Sequence, residues 1–287
     1  MLHVEVFTEA RSAADLVGQV VQADPTGYTL LATVTDDVVA GRRNYPGAVW
    51  LVVLDGDRPV GAAMRTPPHP LYVGPTPVDA APLVADAVAA VLDGAGVDPA
   101  ADLDGVNGEA EAARATVRRW QELFPQVSVT GTIPERLHRL GELRVPDVPG
   151  EARVATDGDL GFVVPWHYAF AEDVGHPVTN IEETLRVRFD RQALLLWTID
   201  GEAVSMAGHT DVVSGVTRVG PVYTPSEYRR RGYGAAVTAA ASAAALAQPG
   251  AQVATLFTDL RNPTSNKIYA EIGYRPVRDY VEIQLAV

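Results

Sequence analysis

Val219-Gly220-Pro221-Val222-Tyr223-Thr224-Pro225-Ser226-Glu227-Tyr228-Arg229-Arg230-Arg231-Gly232-Tyr233-Gly234-Ala235 joins an apolar run to a basic, glycine-containing turn, and an alanine-rich run continues from it to Ala247. The apolar run reads as a strand over 216–223 and the alanine-rich run as a helix over 233–247. Between them, Gly232 and Gly234 let the backbone take unusual torsions and approach a ligand closely. The first amides of the helix have no partner within it, and its dipole favours negative charge there. Strand, basic loop and helix in this order therefore form an anion-binding site suited to a pyrophosphate. Two nucleotide-binding readings are weakened by the residues themselves. A P-loop needs Gly-Lys-Ser/Thr and a Rossmann fingerprint needs Gly-x-Gly-x-x-Gly, and this turn supplies neither.

Downstream, a strand over 252–258 runs into Asn262-Pro263-Thr264-Ser265-Asn266-Lys267-Ile268-Tyr269. Asn262 suits an N-cap and Pro263 the first turn of a helix over 263–272, which Gly273 closes before a last strand over 277–285. Upstream, helices are expected over 165–172 and 180–189, then strands over 193–199 and 203–209 joined by an Asp200-Gly201 turn. This half reads as an antiparallel meander ending in a β-loop-α-β crossover. The fold class is α+β, with a mixed, mostly antiparallel α/β sheet flanked by helices.

The first half echoes the second. Leu51-Val52-Val53-Leu54-Asp55-Gly56 followed by Val60-Gly61-Ala62 parallels Leu196-Trp197-Thr198-Ile199-Asp200-Gly201 followed by Val204-Ser205-Met206, and Val73-Gly74-Pro75 parallels Val219-Gly220-Pro221. Beyond that point the halves diverge. A helix over 77–92 has no basic glycine turn before it, and Asp104-Gly105-Val106-Asn107-Gly108-Glu109, followed by a helix over 110–123, stands in the place of the Asn262 element. Val145-Pro146-Asp147-Val148-Pro149-Gly150-Glu151 suits neither helix nor central strand, so the expected domains are 1–145 and 146–287.

Arg229-x-x-Gly232-x-Gly234 after a strand, with Asn262-x-x-Ser265-x-x-x-Tyr269 after the next, resembles the GCN5-related N-acetyltransferase (GNAT) superfamily over residues 193–287. The resemblance implies two GNAT-like domains, the first a degenerate half; its acidic Glu109 and Glu111 suit neither a phosphate nor a helix that must receive one, so this half is expected to hold no CoA and to shape the acceptor site or a dimer interface. It implies acetyl-CoA as co-substrate. The pyrophosphate would be held by Arg229, Arg230, Arg231, Gly232, Tyr233, Gly234 and Ala235, and the pantetheine arm by Val222, Tyr223 and Thr224. Asn262 and Ser265 would contact the cofactor, and Tyr269 would lie near its sulfur as general acid for the departing thiolate. Many relatives place a glutamate on the strand before the loop, but Val216-Thr217-Arg218-Val219 has no carboxylate. Glu172 is the candidate base, with Asp173, His209 and an ordered water chain as competitors. Trp166, His167 and His176 are further candidates to line an acceptor pocket.

Composition narrows the function. Two cores are expected from 287 residues. Zero cysteines excludes a thiolate nucleophile, a disulfide framework and cysteine-ligated metal, and no His/carboxylate spacing suggests another metal site. A formal charge of −13 opposes general nucleic-acid binding and would attract a cationic amine. With no apolar run long enough to span a bilayer and no leader-like start, neither a membrane nor an exported location is expected, which leaves the cytoplasm. The activity expected is N-acetylation of a primary amine, on a small molecule or a peptide N-terminus, by direct aminolysis. The alternative is a non-catalytic protein that binds or senses acyl-CoA.

Overall fold

A computed structural model describes residues 1–175 and 181–287. Its contacts group into two compact units, one of Met1–Leu137, Thr258–Arg261 and Val277–Val287, the other of His138–Phe257 and Asn262–Pro276. These differ from the consecutive segments 1–145 and 146–287, chiefly because the C-terminal strand belongs to the first unit. Its side chains explain why: Val281, Ile283 and Leu285 alternate into the first unit's apolar core, and a β-strand buries every second residue on one face.

The first unit begins with β1 (Leu2–Phe7), α1 (Ala10–Ala23), α2 (Thr29–Val39), β2 (Val49–Asp55), β3 (Arg58–Arg65) and β4 (Leu71–Val73). It continues through α3 (Ala81–Gly94), α4 (Pro99–Asp102), β5 (Gly105–Glu109), α5 (Ala110–Leu123) and β6 (Ser128–Leu140). Strands β1 to β4 are antiparallel neighbours, and β4 and β5 run parallel, with Leu71 opposite Val106 and Val73 opposite Gly108. Val49, Leu51 and Val53 of β2 face α3 and α5, which supply Val84, Val88, Val117 and Trp120 to one core. On α2, Thr35 receives a hydrogen bond from the indole N–H of Trp50, whose place between Val49 and Leu51 sends it to the opposite sheet face.

The second unit carries β7 (Glu151–Val154), α6 (Leu160–Val174), α7 (Ile181–Asp190), β8 (Leu194–Ile199), β9 (Glu202–His209) and β10 (Val216–Tyr223). After these come α8 (Tyr233–Ala247), β11 (Val253–Asp259), α9 (Pro263–Glu271) and β12 (Tyr274–Ala286), the strand that returns to the first unit and lies antiparallel to β5. Strands β7 to β10 form an antiparallel meander and β11 is parallel to β10, so the sheet is mixed as the sequence implied. Alternation along β8 separates the two faces. Leu195 and Trp197 pack with the alanines of α8, while Leu194 and Leu196 pack with Val163 of α6 and with Ile181, Leu185 and Phe189 of α7.

Helix α6 starts five residues before the expected 165, and Pro165 lies inside it. Its entry is built by Thr156 and Asp159, which exchange a capping box while Arg153 grips the Asp159 carboxylate at 2.7 and 2.8 Å. Pro165 is the sixth residue of the helix, so the chain forgoes there one i→i−4 bond, the one to the Gly161 carbonyl. The expected helix over 180–189 is described from Ile181 onward; Asn180 and the candidate pocket residue His176 lie outside the described residues.

Candidate active site

The expected anion loop sits at the end of β10 and leads into α8. Arg230 has φ +65° and Gly232 φ +84°, so the chain makes two left-handed steps before the helix begins. Gly232 is the N-cap of α8, no side chain caps that end, and no acidic residue lies in its first turn. A Cβ at Gly232 would sit 2.8 Å from a methyl of Val148, so glycine is required there by contact as well as by torsion. The open amides of Tyr233, Gly234 and Ala235 face the turn that Arg230 and Arg231, both exposed, surround with positive charge.

Beyond Arg218 the strand leading to this turn has no ladder partner on its β11 side among the described residues. Pairing of β10 with β11 covers Val216 to Arg218 only, opposite Val253 to Thr255. On the other side the pairing with β9 runs from Val219 opposite His209 to Val222 opposite Ala207, three steps against two, which is a β-bulge containing Gly220 and Pro221. Beyond it, the Ser205 hydroxyl donates to the Tyr223 carbonyl at 3.0 Å and lies 2.7 Å from the Thr224 hydroxyl, pinning the strand end to β9. Val222, Tyr223 and Thr224 therefore lie on a length of strand that β11 does not cover.

Arg229 has a different setting from its two neighbours. Its guanidinium donates to the Thr224 carbonyl at 2.8 Å and to the Asp173 carboxylate at 2.7 Å, and it lies 5.7 Å from the Tyr223 ring centroid. It braces the loop against the end of α6. Tyr228 ties the loop's other flank, with its phenol donating to Glu202 at 2.5 Å.

The second element also forms as a strand followed by a helix. Asn262 caps α9 by accepting from the Ser265 amide at 3.1 Å, and Pro263 occupies the first turn. Tyr269 packs on the α8 face of the sheet, against the same apolar cluster as Val222, Tyr233 and Ala235, with its ring centroid 6.3 Å from that of Tyr274. Burial pushes its phenol up to about 12, so it carries its proton at neutral pH. Tyr274 is fixed beneath it by a 2.8 Å hydrogen bond between its hydroxyl and that of Ser242 on α8.

The three base candidates have unlike surroundings. Glu172 is exposed near the end of α6. Asp173 is engaged by Arg229, and His209 is buried with its Nδ1 3.2 Å from the Thr210 carbonyl and 3.3 Å from the Gln248 amide, toward the C-terminal end of α8. On the opposite sheet face His167 of α6 is buried, its Nδ1 3.2 Å from the Val163 carbonyl and its Nε2 without a hydrogen-bond partner among the described residues. Burial and then the charge of Arg188 bring it down to about 4, so it is neutral. Trp166 lies tilted against Tyr223, with ring centroids 6.2 Å apart.

Residues 163–274 match the model of the Acetyltransferase (GNAT) family. This stretch is a GNAT acyltransferase domain. A GNAT-family acetyltransferase from Colwellia psychrerythraea has the same fold at a TM-score of 0.61 and 12% identity, covering 99% of this chain and 99% of that one. A GCN5-related N-acetyltransferase from Sphaerobacter thermophilus gives 0.60 at 15% identity, covering 99% and 95%. A tandem GNAT protein from the clavulanic acid biosynthesis pathway gives 0.54 at 13% identity, covering 100% and 98%. At such identities these structures establish the fold, which extends over the whole chain and not only the GNAT-matched stretch. Curated protein sequences give no match.

Several contacts around this loop were not expected from sequence: Ser205 to the Tyr223 carbonyl, Glu202 to the Tyr228 phenol, and Arg188 to the Gly220 carbonyl. Each acts across a strand pair or from a helix far away in the chain, and none belongs to a local motif. Only the Thr156-x-x-Asp159 spacing at the start of α6 offered a readable signal that went unused.

Proposed function

We propose that the protein is an acetyl-CoA-dependent N-acetyltransferase that acts on a primary amine of a small molecule or peptide N-terminus by direct aminolysis. The observation that carries this reading is the uncapped N-terminus of α8 behind two left-handed residues, flanked by exposed Arg230 and Arg231 and by a strand that leaves β11 at Arg218. Open amides and cationic side chains suit the pyrophosphate, and the uncovered strand from Val219 to Thr224 offers backbone groups to the pantetheine amides.

In this reading the amine nitrogen attacks the thioester carbonyl, the C–N bond forms and the C–S bond breaks. The carbonyl oxygen takes a hydrogen bond from a backbone N–H at Val222 or Tyr223 while negative charge develops on it. Tyr269 gives its phenolic proton to the departing sulfur, and the amine's proton passes to water or to Glu172. Amine and thioester need no covalent enzyme intermediate, in keeping with a chain that lacks cysteine.

Calorimetric titration with acetyl-CoA tests the reading. The expected result is saturable micromolar binding by the wild type and its loss in Gly232→Glu, which would place a carboxylate where the phosphates sit. No binding by the wild type would leave the loop as an anion site of another kind. Turnover that needs no amine would instead favour an acyl-CoA binder without transferase activity.

A further inference from the structure

Arg188 lies on α7, next to the buried Phe189 and one turn beyond Leu185, and its side chain reaches the β10 bulge. Its Nη1 donates to the Gly220 carbonyl at 3.0 Å. The floor beneath it is cleared by glycine: a Cβ at Gly208 would come within 2.0 Å of Nη1 and 3.1 Å of the Gly220 oxygen. Gly220 itself has φ +147°, and the strand register slips across it. A bulged peptide lacks a regular ladder partner, so its orientation must be set by something outside the ladder. Arg188 supplies that partner here.

We propose that Arg188 is a positioning residue for acyl transfer, holding the Gly220 carbonyl so that the amide just beyond the bulge, at Val222 or Tyr223, points at the thioester oxygen. The inference rests on acetyl-CoA being the donor. Its physical basis is preorganisation: donors aimed at an oxyanion contribute most when they need no reorientation during the reaction. A guanidinium with several fixed N–H groups holds a carbonyl more firmly than a solvent water does. The charge is felt locally as well: burial first, and then this charge, lower the basicity of both His167 on α6 and His209 on β9.

Two variants separate positioning from folding. Arg188→Met removes the donor, whereas Gly208→Ala keeps the arginine and displaces its guanidinium with one methyl group. Each is titrated with CoA by calorimetry and then with acetyl-CoA isotopically labelled at the carbonyl, whose stretching frequency is read by difference infrared spectroscopy. In the wild type the bound carbonyl stretch falls below that of free acetyl-CoA. In both variants most of that shift is lost while CoA affinity stays near the wild-type value. A full wild-type shift in Arg188→Met overturns the proposal, and so does a parallel loss of CoA binding and carbonyl shift in both variants, the mark of a strut alone. A wild type that binds both ligands without any carbonyl shift also ends the inference. If the wild type binds neither ligand, the failure belongs to the acetyl-CoA reading itself.

Discussion

Val73-Gly74-Pro75 ends β4 and Val219-Gly220-Pro221 forms the bulge of β10, yet only the second lies where a strand has parted from its parallel neighbour. In the first half β4 stays paired with β5 to its last residue, and Gly108 lies so close to Val73 that an added Cβ would be 1.9 Å from its carbonyl oxygen. In the second half β10 parts from β11 after Arg218. A carbonyl beside each Gly-Pro step is capped, that of Pro75 by the phenol of buried Tyr28 and that of Gly220 by Arg188. The helices that follow also differ. Before α3 the Pro77 carbonyl takes the amides of Ala80 and Ala81, whereas no side chain among the described residues caps α8. The N-terminus of α5 is filled by the chain's own carboxylate, because Glu109 accepts from the amides of Glu111 and Ala112, where α9 has the neutral Asn262. One fold thus yields a closed half and an open half, and the difference lies in which backbone groups already have partners.

The sharpest chemical contrast falls seven residues past the N-cap of α5 and of α9. There α5 has Thr116, fully buried and bonded to the Ala112 carbonyl at 2.9 Å, and α9 has Tyr269. If the phenol is the acid, Tyr269→Phe lowers turnover by roughly 10–10³-fold while acetyl-CoA affinity is kept. Steady-state kinetics with titrated binding checks this, and unchanged turnover would make Tyr269 a packing residue like its counterpart. Gly108→Ala attacks the closed half instead. It sets a methyl against the Val73 backbone at φ +152°, so chemical denaturation should show a loss of about 3 kcal/mol or more. Acetyl-CoA stoichiometry should stay at one per chain, and two per chain in the wild type would break the comparison outright.

The halves also differ in how they hold charge. Burial first, then Glu282 and Asp259, push the carboxyl of Glu135 in the first unit up to about 7. A carboxyl whose folded value exceeds its unfolded value of 4.5 costs nothing while protonated in both states and destabilises the fold as pH rises toward 7. Glu135→Gln removes that cost. The variant should match the wild type near pH 4 and exceed it above pH 7 by about 2–3 kcal/mol, an increment that thermal melts across pH would register. A gain equal at both ends of that range would mean the glutamate is ionised freely in the fold.

The open half was the more legible from sequence because its features are local. Gly232 as helix entry, Asn262 as N-cap and Pro263 at the first turn each follow from residue types within a few positions. The Asp-Gly hairpins set strand order in both halves by the same logic. What could not be read depends on distant pairing. The return of β12 to the first unit is decided by Val281, Ile283 and Leu285 finding the α3–α5 core, and an alternating strand carries no address for its partner. Arg188 looks like an ordinary cation on a short helix until Gly208 and Gly220 are seen beneath it. The resemblance counted Arg229 as a phosphate contact, and only the fold shows that Asp173, from the end of α6, reaches its guanidinium.

That ion pair gives the smallest effect and the finest test of which arginines serve the open loop. Both partners of the Arg229–Asp173 pair are about half exposed, so Arg229→Gln should lower stability by less than about 1 kcal/mol. Its guanidinium is already committed to the Thr224 carbonyl and to Asp173. Binding a pyrophosphate would require it to abandon those partners, so its removal should weaken acetyl-CoA affinity only slightly. Arg231 is exposed beside the helix entrance, and Arg231→Gln should weaken binding more. Because an exposed cation acts on phosphate through solvent, the gap between the two variants should narrow as salt is added. Calorimetry at low and high ionic strength reads this directly. Equal losses at both salt concentrations would mean that Arg229 leaves Asp173 for the phosphate, and that the brace on α6 is released whenever the open half is loaded.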